Sequence, residues 1–188
     1  MKKPWIVLIA VIAVVGLLAG FLVGTYNGLV ELQAGVEGKQ AEIQTQLQRR
    51  ADLIPNFVAT VKGYSDYEQS TLQAVTEARA AVAAATTPGD QAQAGEKLDS
   101  AIDIWVNAVT EAYPDLKANT QYIALQDELA GTENRIATAR RDYNEAVTDY
   151  NKSIRKFPRN LFAGLFGFEA AELFAADDDA QDVPEVSF

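Results

Sequence analysis

The hydrophobic pattern changes character once along the chain. From Trp5 to Val23 there are nineteen residues with no charge and no strongly polar group. At ~1.5 Å per residue such a run reaches ~28 Å, enough for the hydrocarbon layer of a bilayer. Trp5 and Tyr26 bracket it, as interfacial aromatics do. A cleaved signal peptide has an apolar region of about 7 to 15 residues and ends in a small-x-small site. This run is longer and no clear site of that kind follows, so residues 5–25 are predicted to be an uncleaved transmembrane anchor. Lys2 and Lys3 precede it, and Lys39 is the first basic residue after it. That bias predicts a short cytoplasmic N-terminus (residues 1–4) and a bacterial inner-membrane protein with its bulk on the periplasmic side.

Beyond residue 26 the apolar positions become periodic. Leu29, Val36, Ile43, Leu47, Ile54, Val58 and Val61 recur at spacings of three, four and seven, which is one stripe of a helix. Gly63 and "SDYE" (Ser65 to Glu68) read as a stop followed by a capping box. Leu72, Val75, Ala78 and Val82 mark the buried face of a second helix. "TTPGD" ends it, and Thr87 with Pro88 starts a third, whose face is Leu98, Ile102, Trp105 and Val109. "YPDL" breaks again at Pro114. The last stripe holds Tyr122, Leu125, Leu129, Ile136, Tyr143, Val147, Tyr150, Ile154 and Phe157, and stops at Pro158. The tyrosines of "RRDYNEAVTDYN" are therefore read as members of a helical seam. Pro55 is expected to kink the first helix.

The predicted fold is all-α: one transmembrane helix, then an antiparallel up-and-down bundle of four helices over residues 26–168. Two are long, about 37 and 44 residues, and two short, about 21 to 25, by the 1.5 Å rise ~55–65 Å against ~30–40 Å. With the two long helices antiparallel, position n faces about 183 − n. Arg50 then meets Glu133, and Arg141 meets Glu42, as inter-helix ion pairs that set register more than stability.

Composition removes several kinds of chemistry. The 188 residues include no cysteine and no histidine. Disulfides, thiolate nucleophiles and the usual zinc, haem and iron–sulfur ligand sets are thereby excluded. The net charge is −10, and seven acidic residues follow position 168 with no basic residue among them. Residues 169–188 thus read as an acidic, flexible tail, and nucleic acid is not an expected partner. Carboxylate pairs such as Glu128 with Glu133, or Asp142 with Glu145, are the only acid/base candidates, and their ordinary reading is a solvated helix face.

The segments "YNGLVELQ", "QLQRRADLIPNFVATVKGY", "VTEARAA", "YPDLKAN", "ELAGTENRIATARRDYNEAVTDYN" and "FPRNLFAGLFGF" follow one another behind a single anchor. In this order the chain resembles LemA family proteins over about residues 24–168. It departs after Phe168, where "EAAELF" replaces a basic, proline-containing segment. The resemblance implies a bacterial membrane-anchored helical bundle with no established catalytic activity and no established catalytic residues, and no cofactor is expected. It also points weakly to a scaffold or regulatory role near other membrane proteins.

The expected function is a non-enzymatic, self-assembling scaffold or interaction protein that meets membrane lipid through residues 5–25. The alternative is an accessory sensor or regulator of another membrane protein, such as a protease. In "RKFPRNLFAGLFGF" (155–168), basic residues adjoin Phe157, Leu161, Phe162, Leu165, Phe166 and Phe168. These six are the candidates for self-association or membrane contact, because a two-helix pair beside the membrane has too few elements to cover its own seam.

Overall fold

A computed structural model describes residues 3–61 and 69–174 of the chain. Among them the regular structure is all helical, with no strand. Helix α1 runs Lys3–Val61, α2 Gln69–Ala84, α3 Pro88–Ala112, α4 Thr120–Arg155 and the short α5 Asn160–Ala163, with a 3₁₀ turn at Pro114–Ala118. Anchor and first bundle helix, expected as two elements, are one helix of 59 residues that continues through Pro55. Only glycines interrupt the pattern after Val23, and a glycine costs a helix interior about 1 kcal/mol, which neighbouring turns absorb.

The other helix ends follow from local chemistry. The Thr87 side chain accepts a hydrogen bond from Asp90 N, and Pro88 occupies the first turn, where its missing N–H is not needed. Helix α4 begins at Thr120, later than the break at Pro114 from which its expected length is counted. Pro114 opens the 3₁₀ turn, and Asn119 then caps α4 by accepting from the backbone of Gln121 and Tyr122. The stop at Gly63 and the capping box at 65–68 lie outside the described residues.

The chain forms two compact units, one of residues 1–38 with 145–172 and the other of residues 39–144 with 173–188. In the larger unit the helices run alternately up and down. Lys39 faces Asp142 while Arg49 faces Glu128, so α1 and α4 are antiparallel. Gln40 reaches Thr86 and Gln44 reaches Val82, which sets α2 antiparallel to α1. The core holds Ile43, Leu47, Ile54, Val61, Val75, Val82, Leu98, Ile102, Val109, Leu129 and Ile136. At its centre Phe57, Trp105 and Tyr122, each almost fully buried, meet edge to face or tilted with ring centroids 5.0–5.1 Å apart. Phe57 takes the place expected for Val58, which is only half-buried.

In the smaller unit Leu29, Val36, Val147, Tyr150 and Ile154 are buried, whereas Phe157 lies past the end of α4 and is 79% exposed. The seam therefore stops one turn earlier than its periodicity suggests. What covers it is the chain that follows. The Tyr150 hydroxyl donates to the Glu169 carbonyl at 2.8 Å, and the Asn151 amide pairs with both backbone groups of Ala171 at 2.8 and 2.9 Å. In the larger unit Asn144 grips Phe174 in the same two-sided way, at 3.1 and 2.8 Å. The buried Phe174 ring stands edge-on to Tyr143, 5.6 Å away, under the Arg140 guanidinium.

The tail predicted to begin at residue 169 thus starts with a stretch in which Glu169, Ala171 and Phe174 are hydrogen-bonded to α4; residues 175–188 lie outside the described residues. Asn144→Ala removes both hydrogen bonds to Phe174 and is expected to cost about 1–3 kcal/mol of local stability. Hydrogen exchange at the Phe174 amide should accelerate correspondingly while α3 amides keep their protection. Unchanged exchange there would show that the ring contacts alone hold the segment.

Candidate membrane-contact site

Three parts of the smaller unit converge at the end of the apolar run. After Arg155 the chain leaves α4, forms α5, and reverses at Gly167, whose φ of 78° is the left-handed conformation that favours glycine. The Phe168 N–H closes this turn on the Ala163 carbonyl at 2.9 Å. The reversal sets Phe166 and Phe168 against Tyr26, with centroids 5.3 and 5.7 Å away, and Phe162 edge-on to Phe21 at 6.4 Å. Arg159 donates to the Ser153 hydroxyl at 2.6 Å, and its other terminal nitrogen lies 3.9 Å from where a side chain on Gly28 would begin. The guanidinium thus lies beside α1 at ordinary van der Waals range.

Of the six apolar residues picked out from the sequence, Phe168 is buried and Phe162 half-buried. Phe157, Leu161 and Leu165 are exposed at 79, 61 and 77%, and Phe166 is borderline. The segment folds back on α1 with one set of side chains and presents another outward. α1 is the one described helix long and apolar enough to cross a membrane, and its apolar window has no part buried in the protein.

One face of that window carries glycines at every fourth position, Gly16, Gly20 and Gly24. A Cβ built at any of them meets nothing within 4 Å. Length, absence of charge and bracketing aromatics identify the span without marking this ridge.

The predicted ion pairs resolve unevenly. Arg50 Nη1 stands 3.9 Å from Glu133. The nearer carboxylate is Asp99 of α3, 2.9 Å from Nε but off the N–H axis, so neither atom gains a hydrogen bond there. Arg50 is only 2% exposed and also donates to the Leu129 carbonyl at 3.4 Å. Burial raises the Asp99 carboxyl above its ordinary value, while Arg50 and then Arg140 pull it back.

Glu42 and Arg141 are not partners. Glu42 takes Lys39, which also binds Asp142, and Arg141 lies 3.6 Å from Asp142. The cause is local: Lys39 sits three residues from Glu42, and Arg141 points outward beside its neighbour. The hydrogen bond to Asp142, then the charge of Glu42, raises the Lys39 ammonium. Glu128 accepts from Arg49 and Arg135, which lower its carboxyl. The carboxylates weighed as acid/base candidates are thus engaged with cations at Glu128, Glu133 and Asp142. A groove of about 630 Å³, open to solvent, is lined by one face of α1 including Gln44, Gln48, Arg49 and Asp52, and none of Glu128, Glu133 and Asp142 lines it.

Comparison with known proteins places these features in a context. A model of the LemA family matches residues 39–188. The chain is 28% identical to the magnetosome protein MamQ 2 of Paramagnetospirillum magneticum, over 97% of this chain and 75% of that protein. It is 24% identical to the magnetosome protein MamQ of Magnetospirillum gryphiswaldense, over 95% and 74%. It is 28% identical to the protein LemA of Metamycoplasma hominis, over 92% and 81%. With the family match spanning most of the chain and carrying the α1–α4 bundle, the protein belongs to the LemA family.

Proposed function

We propose that this protein is a non-enzymatic scaffold, anchored in the bacterial inner membrane by α1, that assembles through contacts between copies of that helix. The observation that carries the reading is the uncovered glycine ridge at Gly16, Gly20 and Gly24 on a helix of membrane-spanning length. Lipid offers apolar helices no hydrophobic reason to associate. Close backbone approach at small residues spaced by four supplies the packing that does. We place self-association on α1 rather than on the 157–168 segment, because side chains of α4 already hold the backbone of Glu169, Ala171 and Phe174. Similarity to proteins named for the magnetosome rather than for a reaction agrees with a structural role. The bundle stands on the periplasmic side in this reading, from the Lys2 and Lys3 bias.

Gly16→Ile with Gly20→Ile tests it. In mild detergent the unmodified protein should have a mass that is a multiple of 20.4 kDa. The variant should fall to a single chain with its helicity intact. A single-chain mass for the unmodified protein overturns self-assembly and leaves the anchor and bundle as a binding module for a different membrane protein.

A further inference from the structure

We propose that residues 152–168 form a foot that enters the bilayer interface and binds anionic phospholipid headgroups of the leaflet at the Val23 end of the span. This rests on the reading of α1 as a transmembrane anchor. Depth is the first argument. Phe162 packs against Phe21, and Phe21 lies two residues inside the apolar run, ~3 Å short of its end. Tyr26, just beyond that end, holds Phe166 and Phe168. The ring contacts therefore fix the foot at the height where hydrocarbon gives way to headgroups.

Exposure is the second argument. Phe157, Leu161 and Leu165 project from the foot as large apolar side chains, and an apolar patch beside a membrane span has the bilayer as its nearest apolar medium.

Charge decides the class of lipid. Lys152, Arg155, Lys156 and Arg159 fall within residues 151–168, which contain no Asp or Glu. The stretch is thus +4 in a chain of net −10. Arg159 is committed to Ser153 and lies over Gly28, whereas Lys152, Arg155 and Lys156 are exposed. Basic residues flanking inserted apolar ones are the arrangement that anionic headgroups attract. A second copy of the foot is the poorer occupant, because a two-fold contact would set the same +4 surface against itself.

The chain has no cysteine, so Leu165→Cys in the full protein takes a single environment-sensitive nitrobenzoxadiazole label. In vesicles containing phosphatidylglycerol its emission should shift to the blue, and shallow spin-labelled lipids should quench it. Lys152→Gln with Arg155→Gln and Lys156→Gln should reduce that quenching by about twofold or more, as should high salt. In phosphatidylcholine the two proteins should behave alike. Equal quenching of both proteins in phosphatidylglycerol overturns the headgroup assignment. Burial of the label only at high protein density assigns the surface to a second copy and overturns the proposal. The same label at Val11→Cys separates the two readings. Lipid contact at 11 with water at 165 refutes the foot alone, and water at both positions refutes the anchor.

Discussion

Trp105→Ala should lower the unfolding free energy of the bundle by about 3–5 kcal/mol, the range for deleting a large aromatic from a closed core. Trp105 is 1% exposed and stands between α1 and α3 with its ring 5.1 Å from Phe57, which in turn touches Tyr122. Truncation leaves Phe57 without its edge-to-face partner. Tyr122 is held by its hydroxyl to Thr110 and Gln126, so its ring is not free to swing into the gap. Urea unfolding followed by helical circular dichroism measures the loss. Trp105→Phe should recover most of it. It keeps the ring contact and removes a buried indole N–H that has no acceptor. A loss below about 1 kcal/mol for the alanine variant would mean that the three rings are not packed as a unit.

A comparably large effect is expected at Arg50. A buried cation and its carboxylate are costly to separate, because the survivor keeps its desolvation penalty without its partner. Arg50→Met should cost roughly 3 kcal/mol at neutral pH, at the low end of the range for buried pairs since Asp99 is a third exposed. The pH dependence identifies the cause. Asp99 is already raised in the folded protein by burial, with Arg50 opposing that shift. Without Arg50 its folded value moves further above the unfolded one. A group with a raised acid pKa penalises the fold when ionised, and that penalty fades as pH falls through the folded value toward 3.8. The gap between Arg50→Met and the unmodified protein should therefore narrow on acidification. Adding Asp99→Leu should close much of it at neutral pH. A gap independent of pH would show that lost packing of the Arg50 stem, not the orphaned carboxylate, is responsible.

Much of this architecture is legible in the apolar periodicity. Thr87 followed by Pro88 announces the start of α3, and Leu98, Ile102, Trp105 and Val109 mark its buried face. Where periodicity drifts, the reading errs by one residue: Ile54 and Val61 are compatible with a core residue at 57 or at 58, and the larger ring takes the place. Ion pairs are legible only where register alone decides them. Arg50 draws Asp99 from a third helix, a contact that pairing two helices cannot reveal. Least visible is the coverage of the seam by residues 168–174. Its hydrogen bonds run from Asn144, Tyr150 and Asn151 to backbone, and backbone groups leave no mark on composition. Those asparagines look like ordinary solvated positions, and "EAAELF" looks like the beginning of an acidic tail.

That covering segment is made after every helix it protects. At about 5–20 residues per second, the ribosome needs roughly 1 to 5 s to pass from Tyr150 to Phe174. During this interval Tyr143, Val147 and Tyr150 have no lid, whatever the earlier helices have already achieved. A nascent chain stalled or cut before residue 168 would carry a permanently bare aromatic strip, a feature by which proteases and chaperones sort unfinished products from finished ones. The backbone clasp at Phe174 thus closes late in synthesis, through the side chain of Asn144, which has waited on α4 since thirty residues earlier.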